Sequence, residues 1–136
     1  MKWNNNEMSI FLGEDNIIII RIDKEVKKLT VAAAKECVAK IEEAMKLNPQ
    51  PKVLFFYMPE IYVSKDVIRC YADVAFGEAG MAVFCESFTA WLMGNIGVTI
   101  RKRFMSSNPA AGAPIKAFKK EEEAMKWSFD RIKEAL

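Results

Sequence analysis

A chain of 136 residues, 51% hydrophobic and 28% charged, has material for one core rather than two, since a domain of this size buries roughly two-thirds of its unfolded surface. The net charge is +2, with nine basic against five acidic side chains in the last 36 residues and eleven against thirteen in the first 100, too even a balance to expect nucleic acid as a partner. Histidine is absent, which removes the usual general base, the usual zinc ligand and every Ser-His-Asp or Cys-His arrangement.

The opening Met1-Lys2-Trp3-Asn4-Asn5-Asn6-Glu7 has no signal-peptide apolar run, so a reducing, cytoplasmic setting is expected. Met8 to Leu12 and Ile17 to Ile22 are rich in β-branched and aromatic residues and flank the turn-forming Gly13-Glu14-Asp15-Asn16, which predicts a hairpin. The four isoleucines from Ile17 predict a strand covered on both faces. Thr30 is a candidate cap for a helix whose apolar positions Val31, Ala34, Val38, Ile41 and Met45 share one face, with Glu36/Lys40 and Glu42/Lys46 outside. Asn48-Pro49-Gln50-Pro51 should end it.

Val53 to Tyr57 reads as a central strand. Ser64 follows as a cap, with Asp66 in the first turn of a helix that buries Val67, Cys70, Tyr71 and Val74 and closes at Gly77 and Gly80. Met81 to Cys85 is the next apolar run, and Ser87 opens a helix on which Phe88, Trp91, Leu92, Ile96 and Ile100 should share a buried face. Gly94 and Gly97 interrupt that helix, each at up to about 1 kcal/mol relative to alanine. Close packing on the sheet is one explanation, and a ligand or partner backbone approaching there is the other. Its uncharged stretch, Ser87 to Ile100, is too short to span a bilayer.

The Met105 to Pro114 segment reads as a loop, Ile115 to Phe118 as a short strand, and Glu121 to Leu136 as a last helix facing inward through Trp127, Ile132 and Leu136. Cys37, Cys70 and Cys85 lack metal-type spacing and read as buried reduced thiols. The whole chain, residues 1–136, is expected to form a single α/β domain: an N-terminal β-hairpin, then alternating helices and strands, giving a five-stranded mixed sheet with four helices.

This order resembles the SpoIIAA-like group of STAS domains, especially small bacterial proteins of the STAS/SEC14-like kind. The resemblance covers most of the chain. It rests on Ser64-Lys65-Asp66-Val67-Ile68-Arg69 after the third strand, on the glycine-interrupted helix, and on Ile115-Lys116-Ala117-Phe118 leading into Glu121-Glu122-Glu123-Ala124-Met125-Lys126-Trp127. STAS anti-sigma-factor antagonists carry Asp-Ser-Ser/Thr-Gly at this helix start, and the second hydroxyl residue accepts a phosphate that breaks binding to a partner kinase. Counted from the strand, Ser64, Lys65, Asp66 and Val67 take those places, so Asp66 stands where the acceptor would be; a register two residues different puts Ser64 there.

Two functions follow as expectations. The first is a non-catalytic interaction or regulatory module with a protein partner bound at Ser64, Lys65, Asp66 and Arg69, a homodimer being a further expectation. The plain alternative for Ser64 and Asp66 is a cap and a dipole complement, worth about 1 kcal/mol. The second function is a carrier for a small apolar or anionic, lipid-like ligand held beside the glycine-bearing helix by Trp91, Gly94, Gly97, Arg101 and Arg103. Against that, Arg101-Lys102-Arg103 would serve to offset the negative helix end and core packing would account for most of the bulky set beside it, whereas Met93 and Phe104 would leave an apolar patch at a dimer or ligand surface. A cavity of ~300 Å³ or more would favour the carrier. Catalysis ranks third: no Gly-rich phosphate loop is present, no acid-base pair stands out, and neither a metal nor a cofactor is expected.

Overall fold

The computed structural model describes residues 1–136, with the side chain of Ala111 excepted. Its strands are β1 (Lys2–Asn4), β2 (Met8–Leu12), β3 (Ile17–Ile22), β4 (Val53–Tyr57), β5 (Gly80–Phe84) and β6 (Ile115–Phe118). Its helices are α1 (Val31–Met45), α2 (Lys65–Ala72), α3 (Phe88–Ser107) and α4 (Glu121–Ala135), with a single 3₁₀ turn at Pro109–Ala111.

The sheet has six strands, not the five expected, in the order β1-β2-β3-β4-β5-β6. The hairpin β2–β3 and the added β1 pair antiparallel, and β3 through β6 pair parallel, so the sheet is mixed as expected. β1 is invisible to pattern reading because only Trp3 of its three residues turns toward the core. Its pairing is extended by the first residue: the Met1 amino group donates to the Leu12 carbonyl at 2.8 Å, and the Leu12 amide donates back to Met1 at 2.9 Å.

Strand alternation divides the core between the two faces. Ile18, Ile20, Leu54, Met81 and Val83 meet α1, α2 and α3 on one side. Ile17, Phe55, Ala82, Phe84 and Phe118 meet α4 on the other. The isoleucine run is thus enclosed on both faces, with Ile17, Ile18 and Ile20 at most 1% exposed. Gly80 lets α4 lie close, since a Cβ there would stand 2.9 Å from Arg131 Cγ and 3.2 Å from Trp127 Cη2.

Several boundaries and faces differ from expectation. α2 ends at Ala72 rather than near Gly77, and Gly80 belongs to β5. α3 runs to Ser107, so Arg101-Lys102-Arg103 lies within the helix and is not its last turn. Leu136 is 79% exposed beyond the end of α4 and does not face inward. Cys37 and Cys85 are buried, whereas Cys70 is half-buried; all three are free thiols. On α1 the ion pair that forms is Lys40–Glu43 at 2.9 Å.

Candidate interaction surface

β4 and β5 deliver α2 and α3 from their carboxyl ends. Ser64 is extended (φ −65°, ψ 153°) and its Oγ accepts the Val67 amide at 3.3 Å, a helix N-cap. α2 buries Val67, Ile68 and Ala72, which leaves Lys65, Asp66 and Arg69 exposed. Arg69 reaches Asp73 only at 3.8 Å, with both side chains in solvent, so it remains largely available. Ahead of α2, Tyr62 is 72% exposed.

α3 starts in the same way, with Ser87 Oγ accepting the Ala90 amide at 3.1 Å. Its buried face is the expected one in part, with Ile100 buried and Trp91 and Ile96 half-buried against the core, but without Phe88 and Leu92. Ala90, Gly94, Ile100 and Arg101 are buried, while Phe88 is 75% and Leu92 46% exposed. Small residues four apart let the helix settle against β5, and the large apolar residues are displaced outward by that approach. The Ala90/Gly94 spacing was the signal available in the sequence, outweighed there by the bulk of Phe88 and Leu92.

Between α2 and α3 lies an open groove of about 580 Å³. Lys65 and Arg69 form one wall, and Leu92, Ile96, Thr99 and Arg103 run along the other. Of the residues singled out in the sequence, Lys65, Arg69 and Arg103 therefore share one surface. Ser64 and Asp66 sit at its α2 end, where Ser64 orders the first turn. Trp91 turns elsewhere, its ring 4.8 Å from Lys119 Nζ.

Gly94, Gly97 and Arg101 line instead a half-open apolar pocket of about 80 Å³, walled by Phe56, Ile68 and Tyr71 among others. The Tyr71 hydroxyl is buried beside the Cys37 thiol, and burial raises both above their ordinary pKa, Cys37 to about 12. Arg101 is 1% exposed and already holds an anion of the chain itself. Its Nη2 donates to Glu78 Oε2 at 2.9 Å and Oε1 at 3.1 Å, and its Nη1 donates to the carbonyls of Ala72, at 3.0 Å, and Val74. Burial pushes the Glu78 carboxyl up, and Arg101 pulls it part of the way back.

Three buried polar residues lie outside the residues singled out above, one of them Ser128, whose Oγ donates to the Ala124 carbonyl within α4 at 2.8 Å. Glu78 is the Arg101 partner; Lys52, fully buried, donates from Nζ to the carbonyls of Asn48 and Gln50 and to Asn48 Oδ1, each at 2.9 Å, tying down the chain after α1. Among the described residues there is no cluster of three or more His, Cys, Asp or Glu side chains able to hold a metal ion, and no helix is long and apolar enough to cross a membrane.

Neither a family model nor a curated protein matches the chain. Among solved structures it is similar to an uncharacterized protein of the DUF3478 family with a SpoIIAA-like fold from Shewanella loihica PV-4, with a TM-score of 0.55 and 15% identity over 93% of this chain and 98% of that one. At that identity the likeness speaks for architecture alone, and the architecture is the one the sequence resembled: the fold is SpoIIAA-like.

Proposed function

We propose that residues 1–136 act as a single non-catalytic recognition domain that binds a protein partner on the α2–α3 surface, with Lys65 and Arg69 as contacts and Ser64 and Asp66 ordering the start of α2. The observation that carries this reading is the outward placement of Leu92 in one groove with exposed Lys65 and Arg69, with the exposed Phe88 one turn before it on α3. Large apolar side chains grouped on one surface with basic residues are the composition of a binding surface rather than of a solvated face. The carrier reading gains less support, because a cavity of about 80 Å³ falls well short of the several hundred that ligand pockets occupy.

Site-specific photocrosslinking in the protein's own host cells tests the proposal. A benzophenone amino acid at Leu92 should give a discrete adduct with another protein, and the same group at Glu122 on α4 should not. Absent adducts at Leu92, or equal adducts at both positions, would refute it.

A further inference from the structure

The groove between α2 and α3 has a charge of one sign. Lys65 and Arg69 are one turn apart on α2, and Arg103 stands at the far end of α3; no acidic residue lines the groove with them. Of the 20 Lys and Arg side chains, Lys40, Arg69, Arg101 and Arg131 alone form ion pairs among the described residues, so what marks Lys65, Arg69 and Arg103 is their convergence on one groove. Lys65 and Arg103 have no ion-pair partner among the described residues, and the Arg69–Asp73 pair is long and solvated.

The apolar part is linear. Phe88, Leu92, Ile96, Thr99 and Arg103 recur at the three-four spacing of one helical stripe, which places apolar side chains first and the cation last. From Leu92 to Arg103, the part that lines the groove, the stripe extends about 16 Å at the α-helical rise, the length of about three helical turns. Both walls are helices whose backbone groups are engaged within their own ladders, so the groove offers no strand edge. What fits an apolar channel between two helix ridges is a third helix.

We infer that the α2–α3 groove receives an amphipathic helix of a partner protein, its apolar stripe on Leu92 and Ile96 and its acidic flank against Lys65, Arg69 and Arg103. The inference rests on the recognition reading above and adds the partner's chemistry. Charge complementarity selects the acidic flank, and Leu92 and Ile96 beside the cations select an amphipathic occupant over a purely anionic one.

The test uses the isotope-labelled full chain at low ionic strength. One probe is a synthetic peptide of about 16 residues with leucine at helical three-four spacing and glutamate flanking it. A second is the same peptide with lysine for glutamate, and a third is vesicles of phosphatidylcholine with phosphatidylserine. The acidic peptide should shift amides of residues 64–70 and 88–103, and should bind at least about tenfold tighter than its lysine counterpart. Added salt should weaken it. Lys65→Glu with Arg103→Glu should abolish the shifts, and Lys126→Glu on α4 should leave them unchanged.

Equal binding of both peptides, shifts elsewhere, or vesicle binding without peptide binding would overturn the inference. The Leu92 crosslink separates the two readings. An adduct there without acidic-peptide binding removes the acidic helix and keeps the recognition domain, whereas absence of the adduct removes the domain reading itself.

Discussion

A Cβ on Gly94 would stand 2.5 Å from Cys85 Sγ and 3.2 Å from Val83 Cγ1, so α3 touches β5 at the point where it has no side chain. Gly97, one turn on, is different: a Cβ there would meet only Ile68 Cγ2, at an ordinary 3.7 Å. The two glycines of one helix therefore have opposite consequences. Gly94→Ala should cost about 1–3 kcal/mol through overpacking against a buried thiol. Gly97→Ala should gain up to about 1 kcal/mol, because the helix loses a flexible residue without a clash. Urea denaturation of the two variants decides it, and a loss at Gly97 equal to that at Gly94 would show that both approaches are tight.

Arg101 fastens the same helix to the chain between α2 and β5. Arg101→Met should cost about 3–5 kcal/mol, because it leaves Glu78 buried without its counter-charge and the Ala72 and Val74 carbonyls without their donor. Adding Glu78→Met should restore part of the loss, since an apolar pair no longer buries a lone carboxylate. Recovery should be incomplete because the two carbonyls stay unserved. Full additivity of the two losses in a double-mutant cycle would mean that the ion pair contributes nothing as a pair.

The order of elements was legible because each strand from β2 onward is a short apolar run and each helix a three-four pattern opened by a cap or an acidic turn. Ser64, Ser87 and Thr30 all cap as read. What escaped reading depends on partners distant in sequence. The end of α2 is fixed by Arg101, nearly thirty residues later, which takes the Ala72 and Val74 carbonyls. The buried face of α3 is fixed by how closely β5 can be approached, which favours Ala90 and Gly94 over Phe88 and Leu92. The candidate surface was thus half visible: its basic α2 wall followed from local pattern, while the exposed apolar wall of α3 required the packed sheet.

The cysteines should respond to pH in a sequence-independent way set by burial. Burial raises the Cys37 thiol to about 12 and Cys85 to about 11, from 9.0 for an exposed thiol. A thiol whose folded pKa is raised favours the folded state while it stays protonated, so its contribution is complete below about pH 9 and is lost as pH climbs toward 11 and 12. Tyr71, also raised by burial, adds to the same alkaline fall, so the test is a difference. Between pH 9 and pH 11 the melting temperature of wild type should drop more than that of Cys37→Ala/Cys85→Ala; parallel curves would contradict the assignment. In native protein at neutral pH, Cys70 should be the first thiol to react with a disulfide reagent, and the other two should react on unfolding.

Ser64 separates a structural role from a regulatory one. Its Oγ accepts the Val67 amide, so Ser64→Ala should cost about 1 kcal/mol by removing a cap. Ser64→Asp should cost little, because aspartate caps equally well and its charge suits the start of α2, where Asp66 already sits. Since Lys65 and Arg69 provide the contacts proposed for the partner, adduct formation from Leu92 should survive both substitutions. Loss of the adduct with Ser64→Asp but not with Ser64→Ala would instead show that negative charge at this position switches binding off. A phosphate there would carry about −1.5 to −2 and would act more strongly than the single carboxylate of Asp66. Denaturation and crosslinking of the same two variants therefore read the cap and the switch independently, one through stability and the other through partner binding.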